Sequence, residues 1–286
     1  MIGNEWRPQT LKATVERIVL GLAALLICAG VSPAAELHPI VEFQSGYLFG
    51  ATSNGKWIKA DEAAKALPGE TTYQVYGLTQ AFGEAKGSKP KPSEEDVCSD
   101  VLTVSLSPKP EKGVIALAAP WNALPRKPRI SDTTQQVYSD AVRDFLKTKG
   151  IEQPKVKIDN ILRVDLDGED EVLISATNYF RKDDSVPMRS PAASYSMVLL
   201  RRVVAGKVET QLIEGEFYPK AYPKAAQEEG RFDAPNAYKV IATLDLDGDG
   251  KMEIVVGSNY YEGEAITIYR CDPKKCEALL SVGCGA

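Results

Sequence analysis

Histidine is almost missing: His38 is the only one in 286 residues. Ser/His and Cys/His mechanisms need an imidazole at their centre, and this one lies next to the expected start of the mature chain. No Gly-x-Ser-x-Gly elbow and no Gly-rich phosphate loop occurs. Ser53-Asn-Gly-Lys56 has Ser-x-x-Lys spacing, but it falls on a predicted hairpin turn and not at a helix start, so we read it as coincidence. No stripe of Lys and Arg is present and the formal net charge is −5, which removes the electrostatic footprint of nucleic-acid binding. The apolar run near the N-terminus, Ile18 to Ala29, is shorter than the roughly 18–20 residues of a spanning helix.

That run has the layout of an export signal. Arg7, Lys12 and Arg17 precede it, and Ser32-Pro-Ala34 follows with the small residues a signal peptidase reads. Residues 1–35 are therefore expected to be a signal peptide cut after Ala34 or Ala35, with an uncleaved anchor as the alternative. A lipid anchor on Cys28 is disfavoured by the bulky Ile27 before it. The mature protein would be exported, periplasmic or extracellular, with no membrane span. It would keep a formal charge of −6, because the leader carries three positive and two negative side chains. Acidity of this kind suits recruitment of divalent cations. A content of 44% hydrophobic and 26% charged residues is that of a globular protein, not a disordered one.

Four cysteines remain beyond the leader, which in an oxidising compartment allows three pairings. Cys271 and Cys276 flank Asp-Pro-Lys-Lys, good turn chemistry, so they are expected to bond across a hairpin. Cys98–Cys284 is the remaining pair. A zinc site is disfavoured by the loose Cys-x4-Cys spacing and the lone His38.

Residues 36–130 read as a β-rich region. A hairpin closes at Asn54-Gly55, strands are predicted at 72–78, 101–106 and 114–118, and the Gly, Pro, Lys and Glu-rich stretch 83–96 reads as an exposed loop. Pro120, Pro125 and Pro128 mark a linker. Residues 131–286 open with one amphipathic helix, over about 132–149. Val137, Tyr138, Ala141, Val142, Phe145 and Leu146 share a face, and Gly150 stands where a C-terminal cap belongs.

An internal repeat follows. Ile161-Leu-Arg-Val-Asp-Leu-Asp-Gly and Ile241-Ala-Thr-Leu-Asp-Leu-Asp-Gly each lead through an acidic loop into a second apolar strand and then Asn-Tyr-aromatic, at 178–180 and 259–261. Each copy is followed by a further strand pair, which makes two four-stranded units. In the second loop Asp245, Asp247 and Asp249 alternate, Gly248 and Gly250 let the backbone turn, and Glu253 closes the loop. Such a loop offers the oxygen ligands a calcium ion takes, with the Lys251 carbonyl as a further donor. Without a cation, four carboxylates so close would repel one another. The first loop offers Asp165, Asp167, Glu169 and Glu171, but Glu171 arrives two residues earlier than Glu253 does, so it is the weaker candidate.

The run Asp-Leu-Asp-Gly-Asp-Gly-x-x-Glu-Ile-Val-Val-Gly-Ser resembles the FG-GAP/VCBS repeats of integrin-type β-propellers. The resemblance covers about residues 156–284. It implies blade-like sheets and calcium held by Asp245, Asp247, Asp249, the Lys251 carbonyl and Glu253. Glu253 stands where the family commonly has Asp, and the Phe-Gly and Gly-Ala-Pro signatures are missing or degraded. The expected fold is mainly β with one amphipathic helix and β-propeller-like blades, the alternatives being a β-sandwich or an α+β arrangement. The expected function is a non-catalytic binding or scaffold role at the cell envelope, towards a protein or carbohydrate ligand. A secreted hydrolase acting on polysaccharide or phosphoester through carboxylates is the alternative. Trp57, Trp121, Tyr179, Phe180, Tyr260 and Tyr261 could stack on a ligand, but packing is the preferred reading.

Overall fold

The computed structural model describes residues 36–179, 185–221 and 234–285. The expected leader and Phe180 lie outside them. Half of the chain is strand, so the fold is mainly β, and none of its antiparallel sheets closes on itself.

The N-terminal sheet is built from β1 (His38–Glu42), β2 (Leu48–Ser53), β3 (Lys56–Lys59), β4 (Glu70–Tyr76) and β5 (Ala81–Ser88). After the small pair β6 (Lys91–Pro92) and β7 (Leu102–Thr103), it is completed by β8 (Leu106–Ser107) and β9 (Ile115–Leu117). Its seven strands run in the order β3-β2-β1-β9-β4-β5-β8. The turn at Asn54-Gly55 has both residues at positive φ, +49° and +70°, as a tight hairpin requires.

Two features of this region depart from the sequence reading. A short helix, α1 (Ala60–Ala66), follows β3, so the described helices number two and not one. Residues 83–96 are not one exposed loop either, because β5 runs through Ser88. The inward positions of β5 are Ala85 and Gly87. A Cβ on Gly87 would lie 2.5 Å from the Tyr73 ring, so only glycine lets these strands pack. Small inward residues leave no apolar alternation to read.

The middle sheet consists of β10 (Arg129–Ser131), β11 (Ile158–Asp165), β12 (Asp170–Thr177), β13 (Ser194–Val204) and β14 (Lys207–Tyr218), in sequence order. The helix α2 (Gln136–Thr148) precedes β11. Its termination follows the cap expected at Gly150, which has φ +82°. The Ile151 N–H donates to the Leu146 carbonyl and the Gly150 N–H to the Lys147 carbonyl, satisfying groups the helix end leaves open. Tyr138, Val142 and Leu146 pack on Ile161, Ile174, Tyr195 and Met197, which covers one face of the sheet. The other face is also buried, which explains the nearly continuous apolar run of β13.

The last sheet is a four-stranded meander of β15 (Ala237–Leu244), β16 (Glu253–Tyr260), β17 (Gly263–Cys271) and β18 (Cys276–Gly285). Its first strand lies against the middle sheet. Edge N–H groups of Tyr238 and Val240 donate to the hydroxyls of Ser196 and Ser175 (2.8 and 3.1 Å), so these two donors are satisfied by the neighbouring sheet. One core joins all three sheets: Ile40 and Leu117 from the first, Leu162 and Leu200 from the second, and Leu244 and Ile254 from the third. The two C-terminal units are thus blade-like meanders packed with a larger sheet.

Cys271 and Cys276 face each other across the β17–β18 turn with Cα atoms 4.0 Å apart. The Asp272 carboxylate accepts the N–H groups of Lys274 and Lys275 and holds that turn. Cys98 and Cys284 are paired as well, Cα atoms 5.5 Å apart, tying β18 to the N-terminal region.

Candidate metal centre

Both acidic loops are wired by the same backbone bonds. In the second, Asp245 accepts the Gly248 N–H on Oδ1 (2.8 Å) and the Gly250 N–H on Oδ2 (3.1 Å). Glu253 accepts the Leu246 N–H (2.9 Å). In the first, Asp165 accepts the Gly168 N–H (2.7 Å) and Glu171 the Leu166 N–H (3.0 Å). Glu171 therefore reaches the same backbone position as Glu253, although it comes two residues sooner. Gly248 is required for two reasons: its φ is +76°, and a Cβ would stand 3.1 Å from the Trp121 ring.

The tips of both loops, 167–170 and 248–251, are exposed, but their bases are held inside the molecule. They meet where the three sheets converge. The Met252 N–H donates to the Leu166 carbonyl, joining one loop to the other. Arg126 reaches the carbonyls of Asp165, Leu166 and Gly250 at 2.9, 3.0 and 2.7 Å. The Trp121 indole N–H donates to the Asp245 carbonyl (2.8 Å), and the Thr52 hydroxyl to the Leu246 carbonyl (3.2 Å). The stretch read as a linker thus supplies two of the anchors. Their partners lie dozens of residues away, so no local pattern announces them.

The second loop gathers carboxylates. Ligand oxygens of Asp245, Asp247 and Glu253 lie within 4.8 Å of one another. Asp249 points further out, accepting the Lys251 N–H, and Lys251 is exposed. Among the described residues the first loop forms no such group: Asp165, Asp167, Glu169 and Glu171 do not bring three oxygens that close. Burial raises Asp245, and it pushes Glu253 and Glu171 up to about 7.

The sequence reading missed a cation that the chain itself supplies. Arg270 Nη2 lies 2.6 Å from Asp247 Oδ2 and 2.7 Å from Glu253 Oε1, with Asp249 Oδ2 at 3.9 Å. Its Nε also donates to Glu253 Oε1, 3.1 Å. The Trp57 ring lies 5.7 Å from the guanidinium, a cation–π distance. The repulsion expected among these carboxylates is thus met in part by a side chain from β17. The register could have suggested it: Ile254 pairs with Tyr269, which places Glu253 and Arg270 side by side.

With this geometry in view, comparison with known families is informative. The FG-GAP repeat family model matches residues 238–269. The matched FG-GAP segment spans β15, the second loop, β16 and most of β17, and stops one residue before Arg270. FG-GAP repeats are a β-repeat, ligand-binding type. Comparison with curated proteins and with solved structures gives no match.

Of the aromatic candidates, Trp57 lies against Arg270, Trp121 packs against the second loop, Tyr179 is buried, and Tyr260 stacks edge-on with Tyr261. The Asn178 side chain bonds Tyr195 and Ala193 just past the end of β12. Its counterpart Asn259 lies within β16, so the two copies do not end alike. Trp121 also lines a cleft of about 520 Å³ with Thr72, Gln74, Tyr76, Glu84 and Asn122. Among the described residues no helix is long and apolar enough to cross a membrane.

Proposed function

We propose that the mature chain is an exported, non-catalytic binding or scaffold protein of the cell envelope, and that its Asp245–Glu253 loop holds a calcium ion. The observation that carries this reading is the convergence of Asp245, Asp247 and Glu253 oxygens within 4.8 Å at the junction of the sheets. The donor set is all oxygen and mostly anionic, which fits a hard divalent cation. Asp245, Asp247, Asp249 and Glu253 would hold it through carboxylates and Lys251 through its carbonyl. Bound there, calcium would supply positive charge that pins the loop and the hairpin it closes.

The cleft beside Trp121 supports a ligand-binding role towards protein or carbohydrate, since it combines aromatic, amide and hydroxyl groups. It carries one acid, Glu84, and not the pair that glycoside hydrolysis uses. The two cysteine pairs suit an oxidising compartment.

Calorimetric titration with calcium and thermal melts with and without EDTA test the reading. Calcium uptake and a higher melting temperature are expected for the wild type, and Asp247→Ala should abolish both. A wild-type melting temperature indifferent to EDTA, with no heat of binding at millimolar calcium, refutes the metal role.

A further inference from the structure

Arg270 sits on the oxygens that a divalent ion in this loop would use. Its Nη2 bridges Asp247 Oδ2 and Glu253 Oε1 at 2.6 and 2.7 Å, and its Nε adds a bond to the same Glu253 oxygen. Glu253 is fully buried, and the Asp247 side chain is only 2% exposed. The other oxygens of the cluster are engaged by backbone: Asp245 by Gly248 and Gly250, Glu253 Oε2 by Leu246, and Asp247 Oδ1 by Asp249. Those N–H bonds are compatible with a cation, because a carboxylate oxygen has a second lone pair. A guanidinium is not, because it brings a full positive charge to the oxygens the ion needs.

We propose that Arg270 is the internal counter-cation of this loop and sets its calcium affinity: calcium binds only by displacing the guanidinium from Asp247 and Glu253. The proposal rests on the calcium reading above and goes beyond it, since Arg270 is neither one of the expected ligands nor part of the segment matching the FG-GAP repeat. The exchange has a path to the rest of the molecule. Arg270 lies against Trp57 of β3, so releasing it removes a cation–π contact between the last sheet and the first. Calcium entry is thereby linked to the packing of the N-terminal sheet, and the linkage is reciprocal.

The first repeat contains a natural control. Val172 pairs with Arg201, which places Arg202 beside Glu171 as Arg270 stands beside Glu253. Arg202 is only 7% exposed, yet its Nε and Nη2 have no hydrogen-bond partner. An arginine at this register is thus tolerated without a hydrogen bond from these two nitrogens to the loop, so register alone does not make the clamp.

The test is calcium titration by calorimetry on wild type, Arg270→Gln, Arg270→Lys and Arg202→Gln, with tryptophan fluorescence recorded in parallel. Loss of the charge in Arg270→Gln should tighten calcium binding by roughly ten- to a hundredfold, the usual range of coupling between sites. Arg270→Lys keeps the charge and Arg202→Gln lies at the other loop, so both should bind as wild type does. The wild-type fluorescence change on calcium addition should shrink in Trp57→Phe to what Trp121 contributes from its own contact with the loop. Should Arg270→Gln fold poorly without metal, calcium-driven recovery of its circular dichroism at lower concentrations than shift the wild-type melt supports the same conclusion. Wild-type or weaker affinity in Arg270→Gln overturns the exchange and leaves the calcium reading standing. No binding in either protein removes the calcium reading, and the exchange with it.

Discussion

The two acidic loops share their hydrogen-bonded frame and differ in how charge is balanced. In both, an Asp accepts the N–H of a glycine three residues on, and a Glu folds back onto the N–H of the leucine after that Asp. In the second loop Arg270 closes on Asp247 and Glu253, whereas in the first Arg126 lies 3.1 Å from Asp165 Oδ1 and Arg202, at the register of Arg270, leaves two nitrogens without partners. The frame is therefore common to both hairpins. What the second loop adds is two residues of length and a convergence of carboxylates that holds the Arg270 guanidinium.

The largest expected effect breaks this contrast directly. Glu253→Ala removes the acceptor of the Leu246 N–H and one of the two carboxylates that hold Arg270; breaking a buried ion pair typically costs about 3–5 kcal/mol, and the lower end is expected because Arg270 keeps Asp247 and is 35% exposed. Glu171→Ala removes a backbone acceptor and a carboxylate that stands beside Arg202 without a hydrogen bond to its Nε or Nη2, for about 1–3 kcal/mol. Urea denaturation of both variants checks the order, and equal losses would mean that the Arg270 pair contributes nothing to stability. Arg126→Ala is intermediate. It loses bonds to carbonyls of both loops and should cost roughly 1.5–3 kcal/mol, with hydrogen exchange accelerated at both loops and not at one.

The smallest effect is one of slope. Burial lifts Glu171 from 4.5 to about 7, so the fold favours its neutral form. The stability this contributes is complete below about pH 4.5 and is lost as pH rises through about 7. Melts across that window should show Glu171→Gln with a shallower decline than wild type. Some decline should persist, because Glu253 has a shift of the same sign.

Local pattern carried much of this to the reader of the sequence. Period and cap placed α2, since Val142 and Leu146 repeat at four and Gly150 alone accepts the closing φ. Asn54-Gly55 placed its hairpin, and the duplicated Asp-Leu-Asp-Gly placed both loops. Turn chemistry at Asp272 also gave the Cys271–Cys276 pair. What escaped was contact between distant segments. Arg126, Trp121 and Arg270 reach the loops from other elements, across as many as 124 positions for Arg126 and Trp121. The strand β5 escaped because glycine and alanine face inward, and α1 because seven residues show too little of a period.

The pairing of Cys98 with Cys284 spans 186 positions, so nearly two thirds of the chain lies within one covalent ring. A protease that nicks any connection inside that ring produces a cut chain whose pieces stay tethered, with the edge of the last sheet still held to the N-terminal region. Such a protein withstands clipping in a way its non-covalent packing alone would not allow, and loses that tolerance when reduced.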